Sequence, residues 1–218
     1  MVDLAQAFGQ RADLLQHRFD LVLVVGRLDH VCRHHQKTAR RHRRLRVVAL
    51  VEAAVAAGSL LVVASAVSQA PNDNQQLEPM LDKIEALADE LGKPECLLAD
   101  TGYFSAANVA ACDKAGIEPL IAMGRQPHHP PLAERFATAP EAPKGATPVE
   151  AMAHRLKTPA GRALYALRKQ MPEPVFGIIK SALGFRQFSL RGLAGARGEW
   201  SLVTMAWNIK RMFALVPA

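Results

Sequence analysis

Aromatic side chains are scarce in this sequence, 6% of 218 residues, although half of the residues are apolar. Any core must therefore be packed mainly from Ala, Val, Leu and Ile, and the chain is long enough for one of ordinary domain size. Cysteine is nearly absent too. Cys32, Cys96 and Cys112 share no metal-type spacing and leave an odd one over. That excludes a disulfide framework and points to a reduced, cytoplasmic protein. The N-terminus lacks the charged start, apolar centre and cleavage site of a signal peptide. The nearest thing to a membrane span is Val47 to Val67, 21 residues with the single charge Glu52, following an arginine-rich run. Glu52 is costly in lipid, however, and Ala56 to Ser59 form a turn signal in mid-run. Two short strands fit better, so no membrane partner is expected.

What the sequence does have is unevenly placed positive charge. Residues 1–58 hold 10 Lys+Arg against 5 Asp+Glu, whereas 59–218 hold 17 against 15. Arg33 to Arg46 contains seven cationic residues in fourteen. Such a run can clamp a phosphate backbone with steep salt dependence, or be a basic arm with no specific partner. His30, Cys32, His34 and His35 beside it lack the spacing of a zinc finger, and no second ligand pair follows. Upstream, Asp13 to His17 and Phe19 to Val25 read as a helix and a strand ending at Gly26. Residues 1–49 as a whole are expected to be an irregular basic leader.

From residue 50 the pattern is regular. Leu50–Val55 and Leu60–Ser68 read as a hairpin of buried strands. An apolar stripe from Leu77 to Leu91 predicts one helix, with Asp73 and Gln76 as a capping box or a start nearer Glu78 that puts Pro79 in the first turn, and Gly92 as its stop. Cys96 to Asp100 is a short apolar strand ending in an acid, and Ser105 caps a helix closed by Gly116. Glu118 to Ala122 reads as an edge strand because of Pro119. Residues 123–147 are proline-rich and read as a surface insertion, with His128 and His129 solvated. Thr147 to Glu150 is a capping box, Thr158-Pro159 resets the chain, and a last helix spans Glu199 to Leu215 with Trp200, Val203, Trp207 and Met212 as its packing stripe.

The most informative stretch is Tyr165 to Lys180. Glu173 and Lys180 are seven residues apart, so on a helix both side chains leave one face. Tyr165 and Arg168 share a face in the same way, and Lys169 adds a third cation. Taken alone, these residues fit a solvated helix face with ordinary charge pairs. Their order and spacing carry more: Tyr, two residues, Arg, then Glu, six residues and Lys. This resembles the C-terminal Tyr-Arg-Glu-Lys signature of DDE-type insertion-sequence transposases, with one residue more than the commonest form between Arg168 and Glu173. Leu97 to Ser105 resembles the strand carrying that family's second catalytic aspartate, here Asp100, and the two matches come in the family's order. The resemblance covers roughly residues 50–215.

The resemblance implies an α/β, ribonuclease H-like fold, a mixed sheet with flanking helices, entered after its first strand and so incomplete. It implies a catalytic domain over 50–218 that cuts and joins DNA with Mg²⁺ or Mn²⁺ held by Asp100 and Glu173. Tyr165, Arg168, Lys169 and Lys180 would hold DNA, the ends of the element and its target, and assembly of identical chains is compatible with it. The family's first aspartate sits on the opening strand, usually as Asp-Gly. This sequence has no Asp-Gly, and Asp20 and Asp29 lack the matching context. The expectation is therefore a truncated or frameshifted transposase with little activity. The alternative is a non-catalytic basic DNA-binding protein.

Overall fold

The computed structural model describes residues 22–28, 50–70, 73–124 and 144–215. Five strands form one sheet in the order β3-β2-β1-β4-β5, with β1 Val22–Leu28, β2 Leu50–Ala56, β3 Val62–Ser68, β4 Cys96–Ala99 and β5 Glu118–Ile121. β1 runs antiparallel to β2 and parallel to β4, β2 and β3 form an antiparallel hairpin, and β4 is parallel to β5. This is the mixed sheet of a ribonuclease H-like domain.

One expectation is corrected. The chain does not enter the fold after its first strand, because β1 occupies the centre of the sheet and is hydrogen-bonded along both edges. Leu23, Val24 and Val25 are buried there between β2 and β4, and that burial favours the strand over solvated chain. β1 also lies within the segment read as an irregular leader. The basic run Arg33–Arg46, the four-residue His/Cys group, and His128 and His129 fall outside the described residues.

The expected hairpin is present, turning through Ala57–Ser59 with Glu52 fully buried in β2. None of the described helices is long and apolar enough to cross a membrane. The stripe from Leu77 forms two pieces rather than one helix, α1 Leu77–Glu85 and α2 Ala88–Leu91. The break arises where the Leu87 N–H turns to the Ile84 carbonyl, tightening the last turn. α1 begins at Leu77 behind Gln76, which makes no side-chain cap, so Asp73 is not its N-cap and the later start, with Pro79 in the first turn, is the one observed.

The other predicted caps are formed. Ser105 accepts from Asn108 N at the start of α3 Ala106–Lys114, and Thr147 and Glu150 bond reciprocally at the start of α4 Pro148–Lys157. Thr158 caps α5 Pro159–Ala166 through the Gly161 N–H. A 3-10 turn, Leu167–Gln170, then leads to α6 Pro172–Ser181, which lies against β1 and β2.

The last helix, α7 Gly192–Leu215, starts earlier than expected and packs on β3. Its side chains reach the outer backbone of that edge strand and its turn. Asn208 bonds both the N–H and the carbonyl of Val62, Arg197 donates to the Val67 carbonyl, Trp207 to Leu60 and Arg211 to Ser59. On the core side Trp200 meets the rings of Phe176 and Phe185 at 6.2 and 5.9 Å.

Cys96 on β4 and Cys112 on α3 are buried, and burial pushes their thiols up from 9.0 to about 11 and about 12. Both should resist a maleimide at about pH 8 in the native chain and react rapidly once it is unfolded. Mass spectrometry of the labelled protein checks this. Because both values are raised, the stability they contribute is complete below about pH 9 and lost as pH climbs through about 11 to 12.

Candidate active site

β4 ends at Ala99, and the next residue, Asp100, leaves the sheet at the C-terminal ends of β1 and β4. The loop that follows is tightly made. Asp100 Oδ1 accepts the Thr101 N–H at 2.6 Å, opening a 3-10 turn over Thr101–Tyr103. Buried Asn108 donates from Nδ2 to the Tyr103 and Asn74 carbonyls at 2.7 and 2.8 Å, tying the loop to the turn before α1. Asp73 lies close over Gly102, where a Cβ would fall 2.8 Å from Asp73 Oδ2 and make that carboxylate shift. Asn108 is a positioning residue that the sequence did not mark; as the third residue of a Ser-capped helix it looked ordinary.

The Tyr165 segment comes to the same place. Tyr165 on α5 donates its hydroxyl to the Ala99 carbonyl at 3.3 Å, beside Asp100. Burial raises the phenol's pKa above its ordinary value, with Arg168 partly offsetting, so the group stays protonated and able to donate. Arg168, one turn on, places its guanidinium carbon 5.6 Å from the Tyr165 ring centroid and its Nη1 3.4 Å from Asp100 Oδ2. Arg168 Nε is buried and has no hydrogen-bond partner among the described residues. An unmet donor of this kind costs about 1–3 kcal/mol, which a turn of the guanidinium onto another acceptor would recover.

Glu173 is exposed in the first turn of α6, where the helix dipole favours a carboxylate. Two contacts fix where that turn lies. Arg168 reaches Asp100 from just before it, and Pro172, the first residue of α6, sits over Gly26 of β1. The register pairs Val25 with Ala99, so Gly26 is level with Asp100 on the neighbouring strand. Glu173 thus starts its helix at the end of the sheet where Asp100 emerges. Lys180 lies two turns further along α6, half-buried, and Lys169 is exposed.

The transposase DDE domain family model matches residues 27–209, most of the chain. This chain belongs to the DDE transposase family. The match begins earlier than the expected residue 50 and includes part of β1. No curated protein matches the chain.

Domains of this family generally use divalent metal ions, and the residues of this transposase domain suit one such ion. Asp100 and Glu173 offer hard carboxylate oxygens, and Asp100 Oδ2 already carries a cation, Arg168. Among the described residues no third acid joins them. None of the seven residues of β1 is an acid, and a side chain at Gly26 has no room, since its Cβ would fall 2.6 Å from Pro172 Cβ. Among the described residues, no three His, Cys, Asp or Glu side chains gather as a metal-holding group. The candidates Asp20 and Asp29 for the first aspartate fall outside the described residues. A groove of about 590 Å³ lined by Glu95, Asp113, Glu118 and Arg155 opens at the starts of β4 and β5, the end of the sheet away from Asp100.

Proposed function

We propose that this chain is the catalytic domain of an insertion-sequence transposase, of the Tyr-Arg-Glu-Lys branch, in which Asp100 and Glu173 hold one Mg²⁺ or Mn²⁺ ion. The observation that carries the reading is convergence. The strand-end acid, the guanidinium paired with it, the phenol bonded to the carbonyl just before it, and the start of the helix bearing Glu173 meet at one end of a ribonuclease H-like sheet. Bound there, a divalent ion would polarise a phosphodiester and lower the pKa of an attacking water or 3′-hydroxyl. The chain's own part is to hold DNA beside it. Arg168, Lys169 and Lys180 supply positive charge for phosphates, and Tyr165 anchors Arg168. The partner is DNA, and the working place is the cytoplasm.

With no acid on β1, ion affinity and strand-transfer activity should both be low. Asp100→Asn should weaken Mn²⁺ binding roughly tenfold or more, because affinity for such ions follows the number of charged ligands. Calorimetry with the purified chain reads this, and equal binding by both proteins would remove Asp100 from the site. Efficient Mg²⁺-dependent joining of insertion-end DNA would contradict the low activity.

The engagement of Asp100 by Arg168 also favours a second reading, a non-catalytic protein that binds DNA by charge alone. Its DNA affinity would fall with salt and ignore divalent ions.

A further inference from the structure

Among the described residues Asp100 Oδ2 has one ion-pair partner, and that pairing is long. Oδ1 is fixed by the Thr101 N–H at 2.6 Å, so the carboxylate cannot turn freely and Oδ2 is the oxygen left to change partners. Its pairing with Arg168 Nη1, at 3.4 Å, is longer than the 2.7–2.9 Å typical of a charge-assisted hydrogen bond. The Asp100 side chain is 58% exposed and that of Arg168 21%, so water reaches the carboxylate more readily than the guanidinium.

The guanidinium has other support. It lies over the Tyr165 ring, and that ring is tethered to the Ala99 carbonyl, so Arg168 can pivot on a fixed platform without leaving it. Its buried Nε makes no hydrogen bond in the Asp100-facing position. A planar guanidinium with unused donors is suited to bidentate binding of a phosphate.

We propose that Arg168 is an exchangeable counter-ion, neutralising Asp100 in the metal-free chain and moving to a DNA phosphate when a divalent ion takes Oδ2. This rests on the reading of Asp100 as a metal ligand. A guanidinium and a divalent ion repel each other and compete for one oxygen, so ion binding releases Arg168. A DNA phosphate that captures Arg168 in turn clears Oδ2 for the ion. By linkage the two effects must be equal: the ion tightens DNA binding by the factor by which DNA tightens ion binding. A half-exposed ion pair sets that factor at about two- to fivefold.

The test titrates the full chain with Mn²⁺, with and without a short DNA duplex at constant ionic strength, by calorimetry and fluorescence anisotropy. Asp100→Asn serves as the control for ions bound by the DNA itself. Arg168→Ala should bind Mn²⁺ more tightly than the parent, by about two- to fivefold, and its DNA affinity should no longer respond to Mn²⁺. Arg168→Gln keeps a stem over the Tyr165 ring and gives the same readout if the alanine variant does not fold. Arg168→Lys, which keeps the charge, should retain the response in part. If Mn²⁺ binding is lost in Asp100→Asn but unchanged in Arg168→Ala and Arg168→Gln, the exchange is overturned while the ion site stands. If the parent chain itself binds no Mn²⁺, the ion site falls and the exchange falls with it.

Discussion

Gly26→Asp is expected to unseat the start of α6 rather than complete a three-carboxylate site. A Cβ at this position would lie 2.6 Å from Pro172 Cβ and 2.9 Å from Pro172 Cγ, with Phe176 Cε2 at 3.5 Å. A proline ring cannot swing away like the tip of a flexible side chain, so the helix itself must shift. Overpacking of this kind costs about 1–3 kcal/mol, and enclosing a carboxylate against proline and phenylalanine adds to it. Against a total stability of about 5–15 kcal/mol, the urea midpoint should fall clearly. Gly26→Ala isolates the steric part and should show most of the loss. Because Glu173 follows Pro172, the displaced helix should also weaken Mn²⁺ binding. A Gly26→Asp protein of normal stability with tighter ion binding would show that the space over Gly26 is more forgiving than these contacts imply.

Trp200→Ala should cost about 3–5 kcal/mol, since Trp200 is among the largest fully buried side chains of the described residues. With only 6% aromatic residues, the core has few large side chains to close over a gap. Trp200 is 1% exposed and joins α7 to the rings of Phe176 on α6 and Phe185 in the loop before α7. Its removal leaves a cavity between the last two helices. Calorimetry should show a melting temperature lower by about 6–20 °C, since each kcal/mol is worth about 2–4 °C at this chain length. Leu202→Ala, two residues away on the outer face and 62% exposed, should change stability by no more than about 0.5 kcal/mol. Equal effects from the two would mean that α7 does not pack as described.

Legibility in the sequence followed the range of the interactions. The Thr147–Glu150 capping box, the Ser105 cap and the β2–β3 hairpin are local devices whose partners are a few residues apart, and each was readable. β1 was only half readable. Phe19 to Val25 had a strand's composition, but its place in the sheet depends on pairing with β4 more than seventy residues away, which no local pattern encodes. The break between α1 and α2 carries no glycine or proline, so the continuous apolar stripe masked it. At the candidate site the spacing of Tyr165 and Arg168 signalled a shared face, and the two do stack. That Arg168 would then reach Asp100 was invisible, because the contact joins the end of a strand to a turn 68 residues later. Gly26 beneath Pro172 was hidden for the same reason.

The side chains of α7 that bond to the backbone of β3 and its turn have a consequence for any shortened version of this protein. Asn208 and Arg197 occupy donors and acceptors that an outermost strand would otherwise present to other molecules. A version ending before Gly192 would keep every strand yet leave that ladder uncovered. Its copies would be invited to join edge to edge, and insolubility, rather than simple loss of activity, is the behaviour such a deletion would display.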